Sequence, residues 1–445
     1  MSKNYRTWQI DQPQLLPPSV HDFVPKGHLS RFVVGLVTDG LDLRDIHASY
    51  QSELGQPPFH PTMMVALLLY SYAVGVYSSR RIAKACRERT DFMMIVALDP
   101  PDFRTVSDFR KRHLKALSEL FVQVLQVAQT AGLVKLGHVA LDGTKLKANA
   151  SKHKAMSYER MKKREAELKA EVEGWLAAAE AADAEEDKLY GRDRRGDELP
   201  EWVADKEKRL AKIAEAKAAL EAEAKAAAQE KADAEREAEA KRQGRTKPGR
   251  KTPPPSDAPD GKAQRNFTDP ESRVLKTKDG YIQGYNAQAA VDAETQVIVA
   301  QGLTSSMSDH GQLEPMTDAI AANLGVWPDE LSADAGYCSE ANLAALAARG
   351  IAGYVATGRA KHPAAAKRGV GGPLTRAMRT KLKRGGWRSR YRLRKQTAEP
   401  VFGQIKEARG FRQFLLRGIE KVKAEWALVC TGHNIRKLAG AWAAP

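Results

Sequence analysis

Cysteine is scarce in this chain. Three occur in 445 residues, Cys86, Cys338 and Cys430, far apart and without the His/Cys spacing of a zinc site. That excludes a disulfide framework and points to a reducing compartment. Long apolar runs are missing too. Met63 to Val76 is apolar but short, and tyrosines and Gly75 break it, so it reads as a buried helix and not as a membrane span. The opening Met-Ser-Lys-Asn-Tyr-Arg has no apolar signal core, which predicts a cytoplasmic protein. Negative charge is in deficit. Asp and Glu total 55 against 71 Lys and Arg, a formal charge of +16. A field of that sign attracts polyanions, although an ordinary basic protein would show the same balance. Hydrophobic residues make up 42% of the chain, enough for cores in two or three domains.

Residues 1–130 read as helical. Pro61 suits a first helical position, and Ser78 caps a basic segment ending at Arg89. After the break Asp99-Pro-Pro-Asp102, Thr105 is the expected cap of a helix carrying Arg110, Lys111 and Arg112, with Asp108 in a capping-box-like place. Such helices could dock on phosphates or enter a major groove, or form a solvated basic rim. The texture changes at about residue 155. Tyr158 to Ala182 and Glu201 to Gln243 are rich in Ala, Glu and Lys. Met161, Leu168, Val172 and Trp175 recur at helical spacing, as do Val203, Leu210, Ile213 and Leu220, which predicts a long antiparallel, partly coiled-coil hairpin over 153–243. A flexible basic linker over 244–264, with Pro253-Pro-Pro255, follows it.

Strand signals return after Lys278. Tyr281 to Asp292 and Gln296 to Gln301 form an expected hairpin. Leu331 to Asp334 and Ile351 to Ala356 are further strands, with helices at Met316 to Leu324 and Ser339 to Arg349. With a first strand ending at Asp142, this makes an α/β domain on a mixed five-stranded sheet, built from 136–152 and 265–445 and interrupted by the helical hairpin.

Three acids stand out on this frame. Asp142 follows the apolar run Gly137-His-Val-Ala-Leu, Asp334 ends Leu331-Ser-Ala-Asp, and Glu399 lies among cations in Tyr391-Arg-Leu-Arg-Lys-Gln-Thr-Ala-Glu. Carboxylates brought together repel unless a divalent cation sits between them, and hard oxygen donors suit Mg²⁺ or Mn²⁺, the ions used on phosphodiesters. Each acid has a plainer reading. Asp142-Gly143 could be a hairpin turn, Asp334 a helix cap, and Glu399 a solvated charge balancing Lys395. The basic run Arg376 to Lys395, with Trp387 and Tyr391, reads as a DNA track carrying stacking groups; Arg390, Tyr391, Arg394 and Lys395 are its candidate contacts.

Taken in order, these motifs resemble the bacterial insertion-sequence transposases of the DDE type. His60-Pro-Thr-Met-Met, Gly75-Val-Tyr-Ser-Ser-Arg-Arg-Ile82 and Phe103-Arg-Thr-Val-Ser-Asp-Phe-Arg110 are similar to the helical N-terminal domain of that family. Leu141-Asp-Gly-Thr-Lys145, Ala333-Asp-Ala-Gly-Tyr337 and Glu399-Pro-Val-Phe-Gly-Gln-Ile-Lys406 are similar to its three acid-bearing motifs. The resemblance implies an RNase H-like catalytic domain and metal-dependent cleavage and joining of double-stranded DNA. It implies Mg²⁺, with Mn²⁺ as a substitute, held by Asp142, Asp334 and Glu399, and Lys406 on the phosphate. It also implies a homodimer or larger assembly on element ends and target, and a place on the nucleoid when DNA is bound. Asp309-His310 falls near the implied site. One departure concerns the family signature Tyr-x₂-Arg-x₃-Glu-x₆-Lys. Four residues, not three, separate Arg394 from Glu399, and Lys395 takes the family position. Helical spacing puts Lys395 and Lys406 on the face of Glu399 and turns Arg394 away, but Pro400 is expected to kink or start the helix, so the choice between Arg394 and Lys395 at the phosphate stays open and Lys406 is the first candidate. The rival functions are a nuclease that cuts without joining and a domesticated DNA-binding factor.

Overall fold

The computed structural model describes residues 19–50, 57–190, 201–240, 258–277, 280–358 and 372–442. Seven α-helices open it: α1 (Leu29–Gly35), α2 (Arg44–Ala48), α3 (Pro61–Ala73), α4 (Ser79–Glu88), α5 (Thr90–Ile95), α6 (Phe103–Arg112) and α7 (Leu114–Thr130). Pro61 starts α3, where its missing N–H costs no hydrogen bond. Met64 through Ala73 are all buried, so the helix that is apolar on every side lies inside the protein. The cap of α6 is Asp102 and not Thr105. The Asp102 carboxylate accepts the Thr105 N–H at 2.7 Å, because an Asp leaving an extended backbone reaches the third helical N–H directly.

The sheet follows the expected hairpin and crossover, with one strand more. Its strands are β1 (Val139–Lys147), β4 (Arg273–Thr277), β5 (Gly280–Asp292), β6 (Ile298–Thr304), β7 (Glu330–Ala333) and β8 (Ala352–Val355), in the order β4-β5-β1-β7-β8 with β6 also on β5. β1 is antiparallel to β5 and parallel to β7, which makes the sheet mixed. β4, the additional strand, is short and carries Arg273 and Lys276, so neither alternation nor apolar content reveals it. β1 and β5 come unusually close at Gly284, where a Cβ would lie 2.2 Å from the Leu146 carbonyl oxygen. A side chain cannot be accommodated there.

The predicted helical hairpin is present as α8 (Tyr158–Tyr190) and α9 (Glu201–Ala240). Met161 and Leu168 pack against Ile213, Ala216 and Leu220 in a small core of their own. Glu165 with Lys217 and Glu171 with Lys206 pair across it, which makes the two helices antiparallel. At its base β2 (Ala155–Ser157) pairs with β3 (Gln264–Asn266), a two-stranded sheet that the composition does not reveal. Residues 244–257 of the expected linker lie outside the described residues.

Beyond the sheet come α10 (Leu313–Leu324), α11 (Glu340–Ala348), α12 (Pro373–Gly385), α13 (Leu393–Gly403) and the long α14 (Ile419–Trp442). α14 binds the two halves together. Its Gly432 meets α3 so closely that a Cβ would fall 2.9 Å from the Ala73 nitrogen. The Asn434 side chain accepts from the Ile298 N–H and donates to the Ile298 carbonyl, both at 2.8 Å, satisfying backbone at the buried, unpaired edge of β6. One hydrophobic core therefore runs from the N-terminal helices through α14 into the sheet.

Candidate active site

β1 and β7 run parallel as far as Leu141 opposite Ala333. The next residue after each of this pair is an acid, so Asp142 and Asp334 follow directly on paired positions of neighbouring strands. Asp142 is not at a strand end, contrary to expectation. It is the fourth residue of β1, which continues to Lys147 because β5 pairs with it throughout, while β7 stops one residue short of the acid. Asp142-Gly143 is accordingly no hairpin turn. Asp334 does cap a short turn, accepting the Gly336 N–H at 2.7 Å, and this leaves its second oxygen for other partners.

Glu399 arrives from α13, which runs from Leu393 to Gly403 straight through Pro400. Pro400 neither starts nor ends the helix. Its missing N–H leaves the Gln396 carbonyl unpaired within α13, and the Gln296 side-chain amide donates to that carbonyl at 3.2 Å. The side chain of Glu399 is 53% exposed, against 14% for Asp142. Burial is the main reason the Asp142 carboxyl rises from 3.8 to about 6, opposed by Arg394 and the Gly143 N–H and reinforced by the negative charge of Asp334 and Glu399. The three acids thus lie within one another's fields.

Arg394 enters this site, contrary to the helical-wheel expectation. Its guanidinium donates to Asp142 at 2.8 Å and lies 3.7 Å from Glu399. A wheel compares Cβ directions along one helix, whereas the buried Asp142 on another element attracts the long Arg394 side chain across to it. Its Nε is buried without a partner among the described residues, so the cluster has a donor to spare. Lys395, by contrast, is exposed. Lys406 donates to the Thr144 hydroxyl at 3.0 Å, two residues along the same strand face as Asp142. Burial lowers its ammonium pKa.

Sequence reasoning overlooked Asn286 and Gln288. Both are polar and buried in β5, and both donate to Asp309, at 2.6 and 2.8 Å. The Gln288 side-chain oxygen accepts from Tyr337 and its backbone oxygen from Trp426, so one residue ties Asp309, the Asp334 turn and α14 together. Gly143 leaves room for this arrangement, since a Cβ there would come within 2.6 Å of the Gln288 amide and 2.9 Å of Asp309. The period-two alternation of β5 carried the signal, but it reads equally as an ordinary strand with one wet face.

The expected DNA contacts divide. Arg110 is buried and donates to the Tyr72 hydroxyl, the Tyr77 carbonyl and the Ser79 hydroxyl, so it ties helices together and does not face a ligand. Lys111 and Arg112 are exposed. Arg390 is exposed and paired with Glu330 at 2.7 Å, and Tyr391 lies half-buried with Arg394 6.0 Å from its ring centre.

A hard divalent cation fits the chemistry of the donors, three carboxylates with excess negative charge around one buried member. Among the described residues no three His, Cys, Asp or Glu side chains stand as a ready ion-binding group, and Arg394 lies between Asp142 and Glu399. Compared with known families, residues 18–112 match the one described as Transposase domain (DUF772) and residues 368–439 the one described as Transposase DDE domain. The second stretch includes Arg394, Glu399 and Lys406, and Asp142 and Asp334 lie outside both. No curated protein and no solved structure matches the chain. Transposase DDE domains generally use a divalent metal. A transposase domain match in the N-terminal helices followed by a transposase DDE domain match in the C-terminal part is consistent with an insertion-sequence transposase of the DDE type.

Proposed function

We propose that this protein binds the ends of a mobile element, cuts a strand at each end and joins the freed 3′-hydroxyl to target DNA, using Mg²⁺ held by Asp142, Asp334 and Glu399. The observation that carries this reading is the meeting of those acids from two neighbouring strands and a helix, with Arg394 balancing the buried one. Bound there, the cation would activate the attacking oxygen and stabilise the leaving one. Arg394 offsets the charge of Asp142, and its guanidinium would share that role with a phosphate oxygen brought beside the acids. Lys406, held by Thr144 on the same strand face, places a second cation beside the reacting phosphate. Acting on two ends calls for at least a dimer, and the setting is the cytoplasm, on the nucleoid when DNA is bound.

A labelled element end incubated with purified protein and Mg²⁺ should yield both a nicked product and a product joined to a second duplex. Nicking without joining would reduce the protein to a nuclease, and neither product would leave only a DNA-binding factor. The α8–α9 hairpin contributes none of the acids and packs chiefly on itself. Replacing residues 158–243 with a short Gly/Ser linker is therefore expected to leave nicking detectable. Loss of nicking in a folded deletion protein, judged by circular dichroism, would show that the hairpin takes part in the chemistry.

A further inference from the structure

Where α7 and α14 begin side by side, they border a groove of about 510 Å³. Lys111, Arg112, Lys115, Lys421 and Lys423 line it against one carboxylate, that of Glu420. Lys111 pairs with Asp108 at 3.4 Å, Lys115 with Glu119 at 4.0 Å and Lys423 with Glu420 at 2.8 Å. All three pairs are exposed to water and hold their lysines only weakly. Among the described residues neither Arg112 nor Lys421 forms an ion pair. Five cations against those three carboxylates leave the groove net positive, which favours an anion, and the positive ends of α7 and α14 add to the same field. The groove is also close to the acids. Gln301 on its wall lies opposite Ala289, which lies opposite Asp142, so two strand spacings, about 10 Å, separate the wall from that residue.

We propose that this groove seats the phosphodiester backbone of duplex DNA, gripped jointly by the N-terminal helices and by α14. The inference rests on the DNA-acting reading above and adds a track distinct from the Arg376 to Lys395 segment. It makes the shared core of the two halves functional, because one DNA backbone then spans the α6–α7 corner and the start of α14. A strand held there passes within about three base-pair rises of Asp142.

The test measures binding of the full chain to a fluorescein-labelled random-sequence duplex in EDTA, over a series of salt concentrations. Substituting Lys115→Gln, Lys421→Gln and Lys423→Gln together should flatten the slope of log Kd against log salt by about 2 to 3, close to 0.9 per lost phosphate contact. A control with the same charge removed from the hairpin, Lys208→Gln, Lys225→Gln and Lys231→Gln, should keep the wild-type slope. On the wild-type protein, the same duplex should protect Lys421 and Lys423 from acetylation, a readout that does not depend on the variant folding. Equal slopes for variant and control, or unprotected lysines, would overturn the groove. Because EDTA removes cleavage from the assay, a failure of the metal chemistry leaves this result untouched. A wild-type chain that binds no duplex at all would remove the DNA-acting reading and the groove together.

Discussion

Glu399→Gln, Asp142→Asn and Asp334→Asn should each lower cleavage of a labelled DNA end by about a thousandfold or more, the loss expected when several kcal/mol of transition-state stabilisation disappear. Binding of the same DNA in EDTA should survive in all three. The variants differ in what else they do. Glu399 is 53% exposed, so its amide leaves packing and thermal stability unchanged, and Glu399→Gln is the cleanest of the set. Asp142→Asn removes the counter-charge of Arg394, whose side chain is only 12% exposed, but burial already holds the Asp142 carboxyl above its ordinary value, so the two effects oppose each other and thermal stability at pH 7 should not fall. Asp334→Asn keeps an oxygen for the Gly336 N–H, so the turn should persist. Cleavage at the wild-type rate by folded Glu399→Gln protein would remove Glu399 from the site. Wild-type rates in all three variants would end the proposed chemistry.

Replacing Arg110 by Met should destabilise the protein by about 3 kcal/mol, since it strips partners from groups that water cannot reach. Arg110 bridges α3, α4 and the turn between them, and its charge lies in the field of Glu425 on α14. Glu425 is fully buried and accepts the N–H groups of Leu415 and Leu416, with Tyr72 also facing it. Burial, outweighing those N–H groups and Arg110, raises its carboxyl from 4.5 to about 7. A carboxyl whose folded pKa exceeds its unfolded value stabilises the fold fully below the unfolded value and loses that contribution as pH rises through the folded one. Stability should therefore fall by about 3 kcal/mol from pH 4.5 to above pH 7 on this account. Glu425→Gln keeps an acceptor for the two N–H groups and carries no charge, so its stability should be flatter over that window. Denaturant unfolding at pH 5 and pH 8 checks this, and parallel behaviour of wild type and Glu425→Gln would show that Glu425 does not titrate in the fold. If Arg110 is a structural tie, Arg110→Met should also leave the salt dependence of DNA binding unchanged.

Local signals were legible in the chain. Pro61 marked the start of α3, helical periodicity found α8 and α9, and the crossover from β7 through α11 to β8 followed from alternating strand and helix patterns. The resemblance to DDE transposases, carried by short motifs, agrees with both domain matches. Other features depended on partners remote in sequence. β4 is a strand because β5 pairs with it, since its own residues are too few and too polar to show it. α13 continues through Pro400 because Gln296, more than a hundred positions earlier, donates to the orphaned carbonyl.

The same division runs through the candidate site. Residue type and order picked out Asp142, Asp334 and Glu399 as candidates, and the resemblance to the transposase motifs gave them a shared role and added Lys406. Only the tertiary structure decided that Arg394 and not Lys395 faces Asp142, that Arg110 is spent inside the helices, and that Asn286 and Gln288 hold Asp309 beside Gly143. The reason is physical. A side chain's partner is set by what lies within a few ångströms, and for a buried polar group the cost of having no partner outweighs the preferences of its own helix or strand.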